Sequence, residues 1–293
     1  MLETTGSVVL ESRGVLAVTG EDRVAFLQGL VSNDMRSVAP NQAVYTLLLT
    51  PQGKYLHDFM VATDGEALLL DVEAARRDDL LRRLKIFKLR SRIALEDRSA
   101  LFTVVALVGP DALNRLGLPA EAGVAVPFAG GIAFTDPRRP ELGARAIVPA
   151  GTDLVAHGFP PLPFEAWDRL RLELGVPDGS RDLEVEKAIP LENNMDALNA
   201  ISWDKGCYMG QELTARTRYR ALIKKRLFPV SVDGPLPAPG TPVLRGDRQV
   251  GEMRSGLETR ALAILRLEDL EQYEQDQVMF KAADATLTPR TPA

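Results

Sequence analysis

The sequence predicts an α+β fold followed by a small antiparallel β-barrel. Strand-like runs flank two helices over residues 43–148, an order typical of helices packed on one face of an antiparallel sheet. Several short strand-like runs separated by turns occupy residues 226–285, which is typical of a barrel. The chain has 293 residues, of which 45% are hydrophobic, so it is long enough for two or three compact units.

The elements of the first part follow from spacing and turn signals. A helix is predicted for residues 21–31, because Val24, Leu27 and Val31 share one face. The runs on either side of "PQG" predict a hairpin over residues 43–61. "EALLLDVE" predicts another strand, and the basic stretch "AARRDDLLRRLKIFKLRS" predicts an amphipathic helix. Further strands are predicted at "RIALEDRSA", at "LFTVVALVG" and around residues 132–134 and 144–148, with a short helix opening at "PDALNRLG".

The second part begins with a proline-rich crossing at residues 160–163, which interrupts any regular element. "FEAWDRLRLELG" then predicts a helix that Gly175 ends, and a shorter helix is predicted from Gly210. The runs "RLFPVSVD", "PVLRGDRQVGEMRS", "RALAILRLE" and "QVMFKAAD" predict the short barrel strands, with residues 246–247 as a hairpin turn.

Composition and charge exclude several function classes. With 35 Lys and Arg against 40 Asp and Glu, the net charge of −5 gives no global attraction to nucleic acid. No apolar run approaches the roughly 18 residues of a membrane span. One cysteine and two histidines cannot form a conventional His/Cys zinc site, so no metal site is predicted. Because a secretory signal pattern and paired cysteines are both lacking, the sequence predicts a cytoplasmic protein.

The only cysteine, Cys207, stands in the polar stretch "WDKGCYMGQELTAR". Two interpretations fit a lone cysteine. It can be a small buried apolar side chain, which is the commonest role of this residue type. The flanking Gly206 and Gly210 instead predict an exposed loop, where the ammonium of Lys205 would favour the reactive thiolate. A hydrolase-type pair of thiol and imidazole is disfavoured, because only two histidines could supply the imidazole.

Residues 205–212, Lys-Gly-Cys-Tyr-Met-Gly-Gln-Glu, followed by Arg216, resemble the K-G-C-Y-x-G-Q-E signature of YgfZ-type folate-binding proteins. These proteins are relatives of the T-protein of the glycine cleavage system, an aminomethyltransferase. The resemblance extends over nearly the whole chain. The stretches "FLQGLVSNDM", "TPQGKYLHDFMV", "RLELGVP", "IPLENNM" and "VGEMRSG" are each similar to a segment of that family.

This resemblance implies a three-lobed α+β fold around a central channel that accepts tetrahydrofolate. Its lobes would be a discontinuous first domain, a ferredoxin-like insertion and a C-terminal antiparallel β-barrel. The matching bounds are residues 1–45 and 160–225 for the two parts of the first domain, 46–159 for the insertion and 226–285 for the barrel. The proline-rich crossing would then mark the return of the chain to its first domain.

One departure from the T-protein pattern bears on the chemistry. Aminomethyl transfer depends there on a carboxylate pair in the hairpin, which can stabilise positive charge or move a proton. The corresponding pair here is His57-Asp58, so one acid remains. Asp58 is the candidate acid for such a transfer. A polar strand pair beside a turn is an equally good interpretation of the same two residues.

Tetrahydrofolate needs a carboxylate or amide to grip the pterin edge and cations for its glutamate tail. The basic run "ARTRYRALIKKR" could supply the cations, or it could be a solvated face or a docking surface for an acidic partner. The same alternatives hold for the earlier basic helix, for which a core face with a basic outer face is preferred. The candidates for the pterin edge are Glu186, Glu192 and Asn194, and those for the tail are Arg216, Arg218 and Arg220. Tyr208, Gln211 and Glu212 of the signature are further candidates for cofactor binding.

The resemblance implies a tetrahydrofolate-binding accessory protein for the assembly or repair of iron-sulfur clusters. Cys207 would be its working residue, with Lys205 beside it. The expected partners are iron-sulfur client or assembly proteins, because one thiolate cannot hold a cluster alone. The alternative is a tetrahydrofolate-dependent aminomethyltransferase or demethylase that uses Asp58. A folate-binding scaffold with an inert cysteine is a third interpretation.

Overall fold

The computed structural model describes residues 2–219 and 223–290. Within them, two five-stranded sheets are followed by a closed six-stranded barrel, and no helix is long and apolar enough to cross a membrane. The helices are α1 Arg23–Gln28, α2 Arg77–Lys88, α3 Ala112–Leu116, α4 Phe164–Glu173, α5 Gln211–Tyr219 and α6 Leu267–Asp276. The strands before the barrel are β1 Gly6–Val9, β2 Arg13–Thr19, β3 Val44–Leu49, β4 Tyr55–Thr63, β5 Leu68–Glu73, β6 Ala94–Asp97, β7 Phe102–Val108, β8 Ala125–Phe128, β9 Gly131–Thr135 and β10 Ala144–Pro149.

The two sheets pack face to face. Sheet 1 has the order β1-β7-β10-β9-β8 and sheet 2 the order β3-β4-β5-β2-β6, with all neighbours antiparallel. Alternate side chains of a strand point to opposite faces. Val104, Ala106 and Val108 of β7 therefore share one buried core with Tyr45 and Leu47 of β3. This core forms the middle of a β-sandwich.

Helices cover the outer face of each sheet. On sheet 2, Leu27 of α1 and Leu84 of α2 are buried with Phe59 of β4. On sheet 1, Ala112 of α3 is buried with Leu107 of β7. Burial of each large apolar side chain contributes about 2 kcal/mol, so these layers hold the helices in place. Both sheets are thus covered on both faces.

The predicted arrangement of one sheet with helices on one face is wrong. The sequence predicts neither β1, at the edge of sheet 1, nor β2, within sheet 2. Residues 15–18 of β2 are all buried, so the strand shows no alternation of polar and apolar positions. The predicted boundary between residues 45 and 46 also cuts β3, and the pairing of β2 with β5 and β6 crosses it. The division into domains otherwise stays a prediction.

The last part of the chain is a closed antiparallel barrel. Its strands are β11 Lys225–Asp233, β12 Pro242–Arg245, β13 Arg248–Leu257, β14 Arg260–Arg266, β15 Phe280–Ala282 and β16 Ala285–Pro289. They close in the order β11-β14-β13-β12-β15-β16, with Val230 and Phe280 in the interior. The predicted turn at residues 246–247 joins β12 to β13. Helix α6, which the strand pattern does not predict, packs Leu270 against the barrel core.

One buried cation joins α4 to the barrel. Arg171 is fully buried and donates hydrogen bonds to Asp168 at 2.6 Å and to Asp182 at 2.8 Å. It also donates to the hydroxyl of Ser255 in β13 at 2.7 Å. The backbone N–H of Ser255 donates in turn to Asp182 at 2.8 Å. Arg171 and Ser255 lie in two of the quoted stretches, "RLELGVP" and "VGEMRSG", which therefore meet in one joint.

Candidate functional site

The stretch around the only cysteine forms a loop, here called the cysteine loop (residues 202–210), which leads into α5. Lys205 of this loop is buried. Its ammonium donates to the backbone carbonyls of Gln28 at 2.8 Å, Val31 at 2.6 Å and Asn33 at 2.7 Å. These carbonyls lie at and after the C-terminal end of α1, where carbonyls lack helical partners and a cation is favoured. The loop is thus tied to α1 by its own lysine.

Tyr208 and Gly210 fix the other end of the cysteine loop. Tyr208 is buried, and the ammonium of Lys205 lies 5.2 Å from its ring centroid, a cation–π contact. Burial raises the pKa of Tyr208 to about 12, so its hydroxyl stays neutral. Gly210 has a φ of +83°, and a Cβ there would lie 2.6 Å from the carbonyl oxygen of Thr50 in the β3–β4 turn. Gln211 then begins α5 and donates its N–H to the carbonyl of Tyr208 at 3.2 Å.

Cys207 is exposed on this loop, which excludes its interpretation as a small buried side chain. The predicted part of Lys205 as activator of the thiol needs correction. Its ammonium has three protons, and three carbonyls at the end of α1 accept them. Lys205 is therefore a positioning residue. Neither imidazole is a partner of the thiol, because His57 bonds to a carboxylate of α2 and His157 packs on a phenylalanine ring at 5.3 Å.

The adjacent residues His57 and Asp58 of β4 point to opposite faces of sheet 2. His57 faces α2, with its Nε2 at 2.9 Å from a carboxylate oxygen of Asp79. Burial and the nearby Arg76 lower the pKa of His57 to about 4, although the bond to Asp79 opposes this shift. His57 is therefore neutral at pH 7. It holds β4 to α2 and lies on the far side of the sheet from Asp58.

Asp58 faces the space between the two sheets and is 4% exposed. Its Oδ2 accepts a hydrogen bond from the hydroxyl of Tyr45 at 2.9 Å, and its Oδ1 accepts one from Tyr55 at 2.7 Å. Burial and the charge of Asp58 raise the pKa of both tyrosines well above the ordinary value, so both remain donors. Each oxygen of this buried acid therefore already has a tyrosine donor. The two tyrosines are site residues that the sequence pattern does not reveal.

Buried ion pairs also lie between the sheets. Arg13 of β2 contacts Asp71 of β5 at 2.6 Å, and Arg145 of β10 contacts the same carboxylate at 3.4 Å. Asp136 pairs with Arg138 at 2.8 Å close by. Sequence reasoning misses all of them, because a charge in a strand is ordinarily assigned to the solvent face. The one signal is Asp71 inside the otherwise apolar run "LLLDVE".

The three residues predicted for the pterin edge each have a partner within the protein. The side-chain amide of Asn194 donates to a carbonyl of β11 at 2.7 Å and accepts from Arg226 at 3.0 Å, so both ends are used. Glu192 lies 3.6 Å from the ammonium of Lys225, also in β11. Glu186 is exposed and pairs instead with a cation of α2 at 3.4 Å. All three side chains thus have partners within the protein, and their contact with a pterin stays a prediction.

Helix α5 carries Arg216 and Arg218, two of the residues predicted for the glutamate tail. Arg216 pairs with Glu212 one turn earlier at 3.0 Å. The guanidinium of Arg218 lies 4.0 Å from the ring centroid of Trp203, and this contact links α5 to the cysteine loop. Arg220 lies outside the described residues. The two described arginines thus have local partners, and their binding of a folate tail stays a prediction.

A cavity of about 530 Å³ lies between the cysteine loop, the β3–β4 turn and α2. Met209 lines it from the loop, Pro51 and Gln52 from the turn, and Phe87 from α2. Sequence reasoning misses this cavity, because the three segments lie far apart in the chain. The only signal is Phe87, an aromatic residue near the end of a basic helix.

Metal-binding side chains do not gather in the described part of the chain. Within residues 2–219 and 223–290, no group of three or more His, Cys, Asp or Glu side chains is placed to hold a metal ion. Cys207 is there a single exposed thiol. An iron-sulfur cluster in contact with it would need ligands from a second molecule.

Comparison with known families and structures identifies the fold. Residues 5–122 match the GCVT N-terminal domain, and residues 224–293 match the CAF17 C-terminal beta-barrel domain. The glycine cleavage system aminomethyltransferase T from Bartonella henselae is similar with a TM-score of 0.76, at 15% identity, over 98% of this chain and 85% of that chain. At this identity the likeness shows the fold alone. The predicted α+β class, with a T-protein-like fold and a C-terminal antiparallel barrel, is confirmed.

Two curated relatives are similar over most of their length. The iron-sulfur cluster assembly factor IBA57, mitochondrial, from Homo sapiens is 34% identical over 278 residues, which cover 87% of this chain and 76% of the relative. The IBA57 homolog from Pyricularia oryzae, also mitochondrial, is 31% identical over 292 residues, which cover 90% of this chain and 72% of the relative.

These relatives contradict the cytoplasmic location predicted from the sequence, because both are named as mitochondrial proteins. The prediction is wrong for a physical reason. A single unpaired cysteine is compatible with any reducing compartment, and a missing secretory pattern argues only against export. Neither observation separates the cytoplasm from other reducing compartments.

Proposed function

Because the chain belongs to the family of the iron-sulfur cluster assembly factor IBA57, we propose that it assists the assembly or repair of iron-sulfur clusters through Cys207. Cys207 acts as one thiolate ligand or sulfur contact, and an iron-sulfur client or assembly protein supplies the others. Residues 205–212 also resemble the signature of the YgfZ-type proteins.

The observation that carries this proposal is an exposed thiol on an anchored loop. Cys207 is exposed, while Lys205 and Tyr208 on either side of it are buried. A ligand shared between two proteins must be reachable by the partner and held in a defined position, and the cysteine loop meets both needs. Among the described residues, no group of three or more His, Cys, Asp or Glu side chains is placed to hold a metal ion, so a transient contact is favoured over a resident cluster.

Tetrahydrofolate belongs to the proposal on the strength of the fold and the motif alone. The residues predicted for the pterin edge have other partners, as described above for Asn194 and Glu192. Equilibrium binding of a stable reduced folate, followed by quenching of tryptophan fluorescence, tests this ligand separately from the thiol. Saturable binding would support it, and unchanged fluorescence together with a flat calorimetric titration would remove folate from the proposal.

The surroundings of Asp58 disfavour the alternative, aminomethyl transfer. Both oxygens of this acid accept hydrogen bonds from buried tyrosine hydroxyls, Tyr45 and Tyr55, and the acid is shielded from solvent. A proton-transfer residue must reach within hydrogen-bond distance of its substrate. The cysteine loop, in contrast, needs no rearrangement to present its thiol.

Complementation tests the proposal. The chain is expressed in a strain that lacks its own YgfZ-type or IBA57-type protein, and the activity of an iron-sulfur dehydratase is measured in extracts. Rescue by the wild type and by Asp58→Asn, but not by Cys207→Ala, is the expected result. Equal rescue by Cys207→Ala would overturn the part given to the thiol. Loss of rescue in Asp58→Asn, with that variant folded, would favour one-carbon transfer.

A further inference from the structure

The C-terminal end of α2 exposes apolar side chains that nothing in the described structure covers. This surface, here called the 85–90 patch, consists of residues 85–90. Ile86 is 59% exposed, Phe87 38% and Leu89 88%. Single exposed apolar residues are common on protein surfaces, but three within four consecutive positions mark an interaction site.

The cations of the same patch have no acidic partner within residues 2–219 and 223–290. Lys85, Lys88 and Arg90 take part in no ion pair there, whereas Arg82 and Arg83, earlier in the same helix, both pair with Asp79. Asp22, which borders a hollow beside Leu89 and Arg90, is already bound to the backbone N–H and the guanidinium of Arg92. The patch therefore combines exposed apolar surface with uncompensated positive charge, in a chain whose net charge is −5.

The backbone at Leu89 adds a second observation. Leu89 has a φ of +41°, in the region that glycine adopts without strain and a leucine does not. Such a conformation costs on the order of a kcal/mol for a residue with a Cβ, and it is found at binding and switch sites more often than elsewhere. In the described structure, the strained leucine projects into solvent and gains no burial in return.

The patch is continuous with the cysteine loop through the 530 Å³ cavity. Phe87 belongs to the patch and lines the cavity from one side, and Met209, two residues after Cys207, lines it from another. Lys54 also lines the cavity and takes part in no ion pair within residues 2–219 and 223–290. A molecule bound to the patch thus lies beside the loop that carries the thiol.

We propose that the 85–90 patch docks an acidic segment of a partner protein, which inserts one apolar side chain into the cavity beside Met209. The unpaired cations select negative charge, and the concave wall accepts a side chain, which a flat lipid surface would leave unfilled. The proposal rests on the proposed function in one respect, namely that the partner is a protein that reaches Cys207. The docking itself depends on the patch alone.

A synthetic peptide tests the docking surface directly. The probe is a fluorescein-labelled helical peptide of glutamates with leucines on one face, and its affinity for the full chain is measured by anisotropy at low and physiological salt. The wild type should bind, and added salt should weaken binding because exposed charges are screened. The double reversal Lys85→Glu with Lys88→Glu should weaken binding by about tenfold or more.

Leu89→Gly separates docking from folding. Glycine adopts the backbone at this position without strain, so the variant should be at least as resistant to urea as the wild type. It should nevertheless bind the peptide about tenfold more weakly, because the apolar contact is lost. The matched control is Lys281→Glu with Arg290→Glu, which reverses two exposed barrel cations that take part in no ion pair within the described residues, and its affinity should stay within about twofold of the wild type.

Three outcomes would overturn the docking proposal. They are a wild type that does not bind the peptide, equal affinity of the reversed and control variants, and sedimentation of the chain with vesicles of phosphatidylcholine and phosphatidylglycerol in place of peptide binding.

Cys207→Ser should bind the peptide as the wild type does. A failed complementation with intact peptide binding would therefore count against the proposed function alone, and lost peptide binding would count against the docking surface alone.

Discussion

The contacts of Lys205 explain why a charged residue stands two places before the only cysteine. Its ammonium occupies the position where water would otherwise bind the carbonyls that end α1, and burial lowers its pKa to about 8. Because three hydrogen bonds converge on one nitrogen, the path of the cysteine loop depends on this side chain. Cys207 is thereby exposed and yet held in place, which a thiol shared with a partner requires.

His57 predicts how the chain responds to acid. The unfolded chain takes up a proton at this imidazole near pH 6.5, but the folded chain does so only near pH 4, because burial and Arg76 oppose the charge. Unfolding therefore binds a proton in this window, and the free energy of unfolding falls as pH drops from 6.5 to 4. The loss should be about 3 kcal/mol. Urea denaturation at several pH values between 7 and 4 measures it.

The chain offers a matched control for this titration. His57→Gln should lack that part of the acid sensitivity, whereas His157→Gln, which changes the only other histidine at an exposed position, should keep it. The other charged groups that face the imidazole are Asp79, which is bonded to it, and Arg83. The carboxylate of Asp79 takes up its proton below this pH window. If His57→Gln lost stability in acid as steeply as the wild type, the neutral imidazole would not be the cause.

At the scale of elements, the contact of the cysteine loop with the β3–β4 turn depends on Gly210. Gly210→Ala would place a Cβ 2.6 Å from the backbone oxygen of Thr50, at a φ of +83°. Backbone cannot move aside as a flexible side chain can, so we expect a loss of about 2 to 3 kcal/mol in unfolding free energy. The displaced loop should also change the rate at which Cys207 reacts with a maleimide. Urea denaturation and stopped-flow labelling measure the two effects.

Gly206, on the other side of the thiol, is the control for this substitution. A Cβ there would meet no heavy atom within 4 Å, and its backbone is not in the left-handed region. Gly206→Ala should therefore keep the stability of the wild type to within about 0.5 kcal/mol. Equal losses in Gly206→Ala and Gly210→Ala would show that the close approach to the turn does not hold the loop.

Elements with a strong local signal could be predicted from the sequence. Helix α2 lies within the predicted basic helix, and the β3–β4 hairpin turns at "PQG" as expected. Helix α6 could not be predicted in the same way, because it lies between two barrel strands and its buried contacts come from the barrel core. Strand β2 lacks the polar alternation of a half-exposed strand, since helices and the second sheet cover both of its faces.

At the scale of the whole molecule, the signature locates the cysteine loop but not its partners. Lys205 bonds to carbonyls 172 to 177 positions earlier in the chain, and no local pattern encodes such a contact. Residue type predicts candidates for pterin contact, but it does not specify where their side chains point. Asn194 and Glu192 consequently contact the barrel, and Glu186 lines the cavity beside α2.

The attachment of the barrel to the sandwich gives the last prediction. Arg171→Met leaves the buried carboxylate of Asp182 without its cation and leaves Asp168 with Arg181 alone, so unfolding free energy should fall by about 3 to 5 kcal/mol. In this variant the barrel and the sandwich should unfold separately. Both tryptophans lie outside the barrel, so the urea unfolding curve followed by their fluorescence should no longer coincide with the curve followed by circular dichroism. Arg169→Met removes an exposed pair between α4 and the barrel, and it should leave both curves unchanged. Coincident, unshifted curves for Arg171→Met would refute a joint that depends on one buried cation.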